Sequence, residues 1–101
     1  MIFVDTNYFL RFLLQDVNSQ AREAKQLFLE SAKGEISLIT SVLVFFEVAW
    51  VLRKSFFKDN QALIESLMKI LDLNVELDER SILVESINLF KYSNLSLEDC
   101  Y

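Results

Sequence analysis

The sequence predicts an α/β fold, a small parallel sheet flanked by helices in three layers. Short apolar runs alternate along the chain with longer stretches whose apolar residues recur every three or four positions. That alternation of strand and helix is the pattern of a parallel sheet with helical crossovers. The 101 residues are 52% apolar and 25% charged, which is one domain's length with enough apolar mass for a core. No repeat, low-complexity stretch or linker divides them, so residues 1–101 are read as a single domain.

Ile2-Phe3-Val4 reads as a first strand, buried on both faces as in a parallel sheet, and Asp5 ends it. Thr6 to Leu14 carries apolar residues at positions 9, 10, 13 and 14, which fits a helix. Asn18 or Ser19 can cap a second helix through about Ala32, with its stripe at Ala21, Ala24, Leu27 and Phe28. Gly34 stops it. Ile36 to Ile39 is a second strand, and Thr40 and Ser41 offer a cap for a third helix from about Val42 to Phe56. Asp59 caps a fourth helix, apolar at 63, 64, 67, 68 and 71. Asn74 to Leu77 reads as a third strand. Asp78 caps a fifth helix with a stripe at Ile82, Leu83, Ile87, Leu89 and Phe90, and Ser96 opens a sixth.

The residue inventory limits the chemistry. Without histidine there is no Ser-His-Asp triad, Cys-His pair or His-bearing zinc site. A lone cysteine, Cys100, excludes an internal disulfide and a CxxC site, and a lone glycine excludes a P-loop and a GxGxxG turn. Enzymatic work falls mainly to carboxylates, a donor set suited to Mg²⁺ or Mn²⁺. The net charge of −5 leaves any contact with nucleic acid to a local basic patch or to bound metal. MIFVDTN is not a signal peptide, and the apolar run Val42–Leu52 is too short to span a bilayer, so a cytoplasmic protein is expected.

Three carboxylates stand out. Glu47 sits in Val42-Leu43-Val44-Phe45-Phe46-Glu47-Val48-Ala49-Trp50-Val51-Leu52, which is apolar all round and therefore reads as a buried helix. A buried carboxylate needs compensation by a cation or by protonation. A structural pairing with Arg11, or a thin solvent stripe through Glu47, would account for it without function. Asp5 follows a strand and precedes a helix, a position that an ordinary N-cap also fills, with Thr6 and Asn7 as first-turn residues. Asp99 in Ser96-Leu97-Glu98-Asp99 also fits a capping box. Together the three lie near helix starts that face one sheet edge. Converging carboxylates raise one another's pKa, and one or two divalent ions, ~3.5–4 Å apart when paired, remove that penalty.

Ile2-Phe3-Val4-Asp5-Thr6-Asn7 followed by Phe9-Leu10-Arg11-Phe12-Leu13 resembles the start of a PIN domain, closest to the VapC-like toxin ribonucleases of toxin–antitoxin pairs. Ile39-Thr40-Ser41 running into Phe46-Glu47-Val48-Ala49-Trp50-Val51-Leu52 resembles that family's second acidic segment, and Ser96 to Tyr101 the beginning of its third. The resemblance implies a metal-dependent endoribonuclease using Mg²⁺ or Mn²⁺, with Asp5, Glu47 and Asp99 as catalytic metal-binding acids and Thr6 or Asn7 in support. Glu98, one position off Asp99 on a helix, points elsewhere. The resemblance also implies a homodimer and a cognate antitoxin as protein partners. A typical member continues beyond the third segment, so a C-terminally truncated domain lacking the final helix and strand is expected.

Arg11, Arg53 and Lys54, with Arg22, Lys25 and Lys58 nearby in sequence, could supply the basic patch that RNA requires. For Arg53, Lys54 and Lys58 a solvated helix C-terminus is the plainer explanation. The aromatics Phe45, Phe46, Trp50, Phe56 and Phe57 read as core or partner surface rather than base-stacking platforms. Two alternatives accompany the nuclease reading. A PIN fragment could act only in dimer or antitoxin binding. A haloacid-dehalogenase-like phosphohydrolase also begins with a strand ending in Asp, but its second Asp would stand where this chain has Asn7.

Overall fold

A computed structural model describes residues 1–14, 18–56, 59–91, 97 and 101, the side chains of Asn18 and Lys91 aside. The order is β1 (Ile2–Phe3), α1 (Thr6–Leu14), α2 (Asn18–Ala32), β2 (Leu38–Thr40), α3 (Val42–Ser55), α4 (Asn60–Asp72), β3 (Glu76–Leu77) and α5 (Arg80–Lys91). The three strands form one parallel sheet in the order β1-β2-β3, with Phe3 opposite Ile39 and Thr40 opposite Leu77. Each pair of neighbouring strands is joined by a helical pair, and α1 packs on α2 and α3, α3 on α4, and α4 on α5. This is the α/β architecture that the alternation of patterns predicts.

The local signals operate as their chemistry requires. Ser41 caps α3, its Oγ accepting from the Val44 N–H at 3.2 Å. Asp59 caps α4, its Oδ1 accepting from the Gln61 N–H at 3.0 Å. Gly34 ends α2 with φ +79°; its N–H donates to the Ser31 carbonyl, and the Glu35 N–H reaches back to the Glu30 carbonyl. Those two bonds make a Schellman motif, which needs a left-handed residue at the position Gly34 occupies. The apolar stripes turn inward at Ala21, Ala24 and Phe28 of α2, at Leu63, Ile64, Leu67 and Leu71 of α4, and at Leu83, Ile87 and Phe90 of α5. Arg80 fastens the end of α4, its guanidinium donating to the Leu71 and Val75 carbonyls.

Several expectations need correction. β1 is not buried on both faces: Ile2 is 45% and Phe3 56% exposed, and Val4 beyond the strand is the buried residue. β1 stands at the edge of the sheet, and the described residues leave its Ile2 and Phe3 side chains uncovered. β2 runs Leu38–Thr40 rather than from Ile36, and β3 is only Glu76–Leu77. Helix α5 begins at Arg80, and Glu79, held at φ +59°, stands before it instead of Asp78. Ile82 and Leu89, read as part of the α5 stripe, are exposed. A sixth helix from Ser96 falls outside the described residues. Within that segment Leu97 is buried in the core, and its carbonyl accepts from the Tyr101 N–H at 3.0 Å.

Candidate active site

The candidate residues Asp5 and Glu47 follow the carboxyl ends of the strands, the end at which parallel α/β sheets in general bind ligands. β1 runs out through Val4 into Asp5, and β2 ends at Thr40 and passes through Ser41 into α3. Because Phe3 pairs with Ile39, Asp5 leaves the sheet alongside Ser41. Asp5 is exposed, and its Oδ1 accepts from the Tyr8 N–H at 3.3 Å. The capping role weighed for it from sequence is therefore present. A single long bond of this kind leaves the second carboxylate oxygen available to another partner. Thr6 and Asn7 stand in the first turn of α1, Thr6 buried and Asn7 exposed.

Glu47 lies in the second turn of α3, five residues past Val42 and about 7.5 Å further along the helix axis. It is exposed, not buried. Helix α3 turns Val44, Phe45, Val48, Ala49 and Leu52 inward and leaves Leu43, Glu47, Trp50 and Lys54 on one face in solvent. Leu43 is 78% and Trp50 59% exposed. The expectation of a helix buried all round is thus corrected: a solvent stripe through Glu47 makes a compensating cation unnecessary. Arg11, weighed as its structural partner, stacks instead over the Tyr8 ring of its own helix, 5.5 Å from the centroid.

Asp99 lies outside the described residues, as do Glu98, Cys100 and Lys58. Of its sequence neighbours, Leu97 is buried in the core and the Tyr101 ring meets the Phe46 ring edge-on at 5.1 Å, beside Glu47 in the chain. Among the described residues no three acidic or sulfur side chains stand close enough to hold an ion together. Asp5 and Glu47 are the two candidate acids the described residues contain, one after each of two neighbouring strands.

The basic candidates take separate positions. The Arg53 guanidinium sits 5.7 Å from the Phe90 centroid, and the Lys54 ammonium 4.6 Å from that of Trp50. Both lie in the last turn of α3, where cations favour the helix dipole.

Two further acids, Asp78 and Glu79, stand at this end of the sheet. A depression of about 660 Å³ is lined by Thr40, Ser41, Val42, Leu43, Asp78 and Glu79. From sequence Asp78 reads only as a cap, and nothing local marks Glu79. Their shared surface with Thr40 arises from the pairing of β2 with β3.

No described helix is long and apolar enough to cross a membrane. No curated protein and no solved structure matches the chain. A family match spans residues 2–101, and its description is PIN domain. That match favours the nuclease-type fold over the dehalogenase-like alternative. The segments around Asp5, Glu47 and Asp99 all fall within it, and the chain belongs to the PIN domain family.

Proposed function

We propose that this protein is a metal-dependent endoribonuclease that hydrolyses RNA phosphodiester bonds as the toxin of a toxin–antitoxin pair. The observation that carries the reading is the placement of Asp5 and Glu47 after neighbouring parallel strands in a chain that matches the PIN domain along its length. PIN domains are in general nucleases.

The donor set fits a hard cation. Mg²⁺ is commonly held by one or two carboxylates, with water and substrate phosphate oxygens completing its octahedron. Asp5 and Glu47 are exposed oxygen donors, and Asp99 is the third ligand on the strength of the sequence resemblance. When bound, the cation supplies charge for the leaving oxygen and lowers the pKa of water. The chain's own part is placement. Thr6 or Asn7, which follow Asp5 in the first turn of α1, would support it, and Arg11, Arg53 and Lys54 would offer positive charge to the RNA backbone in a chain that is acidic overall. The exposed Leu43 and Trp50 of α3 and Ile2 and Phe3 of β1 are suited to covering by a second copy and by an antitoxin.

Incubation of the protein with a mixed RNA substrate tests the reading. Cleavage is expected with millimolar Mn²⁺ or Mg²⁺, and none with EDTA. Mn²⁺ should also raise the melting temperature, by the equivalent of about 2.7 kcal/mol when its concentration is 100 times the Kd. Metal-independent cleavage, or neither cleavage nor a shift in melting temperature, would overturn it.

A further inference from the structure

Thr40 ends β2 and is only 6% exposed, yet it carries a hydroxyl. Valine would suit a buried strand position better, because a buried hydroxyl is costly without a partner. Its partner lies across the sheet: Oγ1 donates to the Val4 carbonyl at 2.9 Å. The same Val4 donates its own N–H to the Ile39 carbonyl at 2.8 Å. Val4 is fully buried and immediately precedes Asp5. A peptide unit is planar, so fixing the Val4 carbonyl oxygen fixes the plane that delivers the Asp5 nitrogen. On its other side the Asp5 carboxylate is held, among the described residues, by the 3.3 Å contact with the Tyr8 N–H, longer than the usual ~2.9–3.0 Å. The next residue, Ser41, caps the helix that carries Glu47. Two consecutive side chains therefore tie the exit of β1 to the entry of α3.

We propose that Thr40 is a positioning residue of the nuclease site, holding the Val4–Asp5 peptide so that Asp5 is presented beside the helix bearing Glu47. The proposal rests on the nuclease reading above. Thr40 acts through Asp5, its hydroxyl proton being spent on the Val4 carbonyl.

The test compares Thr40→Val, which keeps the shape and removes the donor, with Thr40→Ser, which keeps the donor. Two quantities are read: Mn²⁺ affinity by electron paramagnetic resonance titration, and the Tyr8 backbone amide by NMR in the metal-free protein. Thr40→Val is expected to lose about 10-fold or more in Mn²⁺ affinity, the scale set by groups that orient metal ligands. Its Tyr8 amide should shift and exchange faster, and Thr40→Ser should restore both. Should Thr40→Val not fold, Thr40→Cys, of similar size but a weak donor, carries the same comparison. A folded Thr40→Val or Thr40→Cys variant with wild-type affinity and an unmoved Tyr8 amide overturns the proposal. Wild-type protein that neither binds Mn²⁺ nor cleaves RNA refutes the nuclease reading. In that case a displaced Tyr8 amide in the variant leaves Thr40 a purely structural tie, and an unmoved one removes even that role.

Discussion

The two ends of the parallel sheet are built on different principles. At the amino end, α2 and the α4–β3 connection close on each other through a reciprocal pair. The Ser31 hydroxyl donates to the Asn74 carbonyl at 2.5 Å, and the Asn74 amide donates to the Ser31 carbonyl at 2.7 Å. Ser31 is buried, and both side chains spend their polar groups on backbone. At the carboxyl end, Asp5 accepts one long bond, Glu47 stands in solvent, and Asp78 and Glu79 border an open depression. At the first end this pair is consumed by the fold. Polar groups at the second keep bonding capacity that the described residues do not use. The general lesson is that a site is marked less by the presence of polar residues than by polar residues whose bonding capacity the fold does not use.

Variants at the two ends should separate activity from stability. The largest effect is expected at the carboxyl end. Asp5→Asn and Glu47→Gln should each reduce metal-dependent cleavage by more than the ~100-fold that losing an outer-shell partner can cost. Their stability should move by less than about 0.5 kcal/mol, because Asn caps a helix as well as Asp and Glu47 is exposed. Cleavage assays alongside thermal melts check both halves. A large loss of stability in Glu47→Gln would point to a structural ion pair instead.

At the amino end the order reverses. Gly34→Ala meets no atom within 4 Å of the added Cβ, so its cost is purely one of backbone conformation at φ +79°. The expected loss is about 1–2 kcal/mol, read as a lower urea midpoint with cleavage unaltered. Ser31→Ala removes one bond of the reciprocal pair and should cost about 1 kcal/mol, lowering the melting temperature by about 4–8 °C. An equal fall in cleavage rate at constant folded fraction would break the division between the two ends. The smallest effect returns to the carboxyl end. Glu79→Gly relieves a non-glycine residue at φ +59° and should change stability by less than about 1 kcal/mol, toward stabilisation, in the same melts. A fall in cleavage in this variant would give the Glu79 carboxylate a part in the site.

Much of the fold is legible residue by residue. Ser41, Asp59 and Gly34 act where the sequence places them, because each works on backbone groups within five residues of itself. The site is legible only in part. Asp5 and Glu47 could be picked out as residue types in suggestive places, and the resemblance gave them roles. Glu47, expected to be buried, is nevertheless exposed. Leu43 and Trp50 are apolar, so the helix looks the same in sequence whether its 43-47-50-54 face meets another element or water. Thr40 offered a cap in sequence, and its actual bond spans 36 positions.

The amino-acid order alone thus determined the caps at Ser41 and Asp59, the stop at Gly34, most of the inward stripes of α2 and α4 and the reliance on carboxylates, since these depend on neighbours a turn or less away or on composition. Tertiary structure decided that β1 is an edge, that one face of α3 is left uncovered, and that Thr40 reaches Val4. Each of those outcomes depends on which distant segment comes to lie alongside, and no local spacing encodes that.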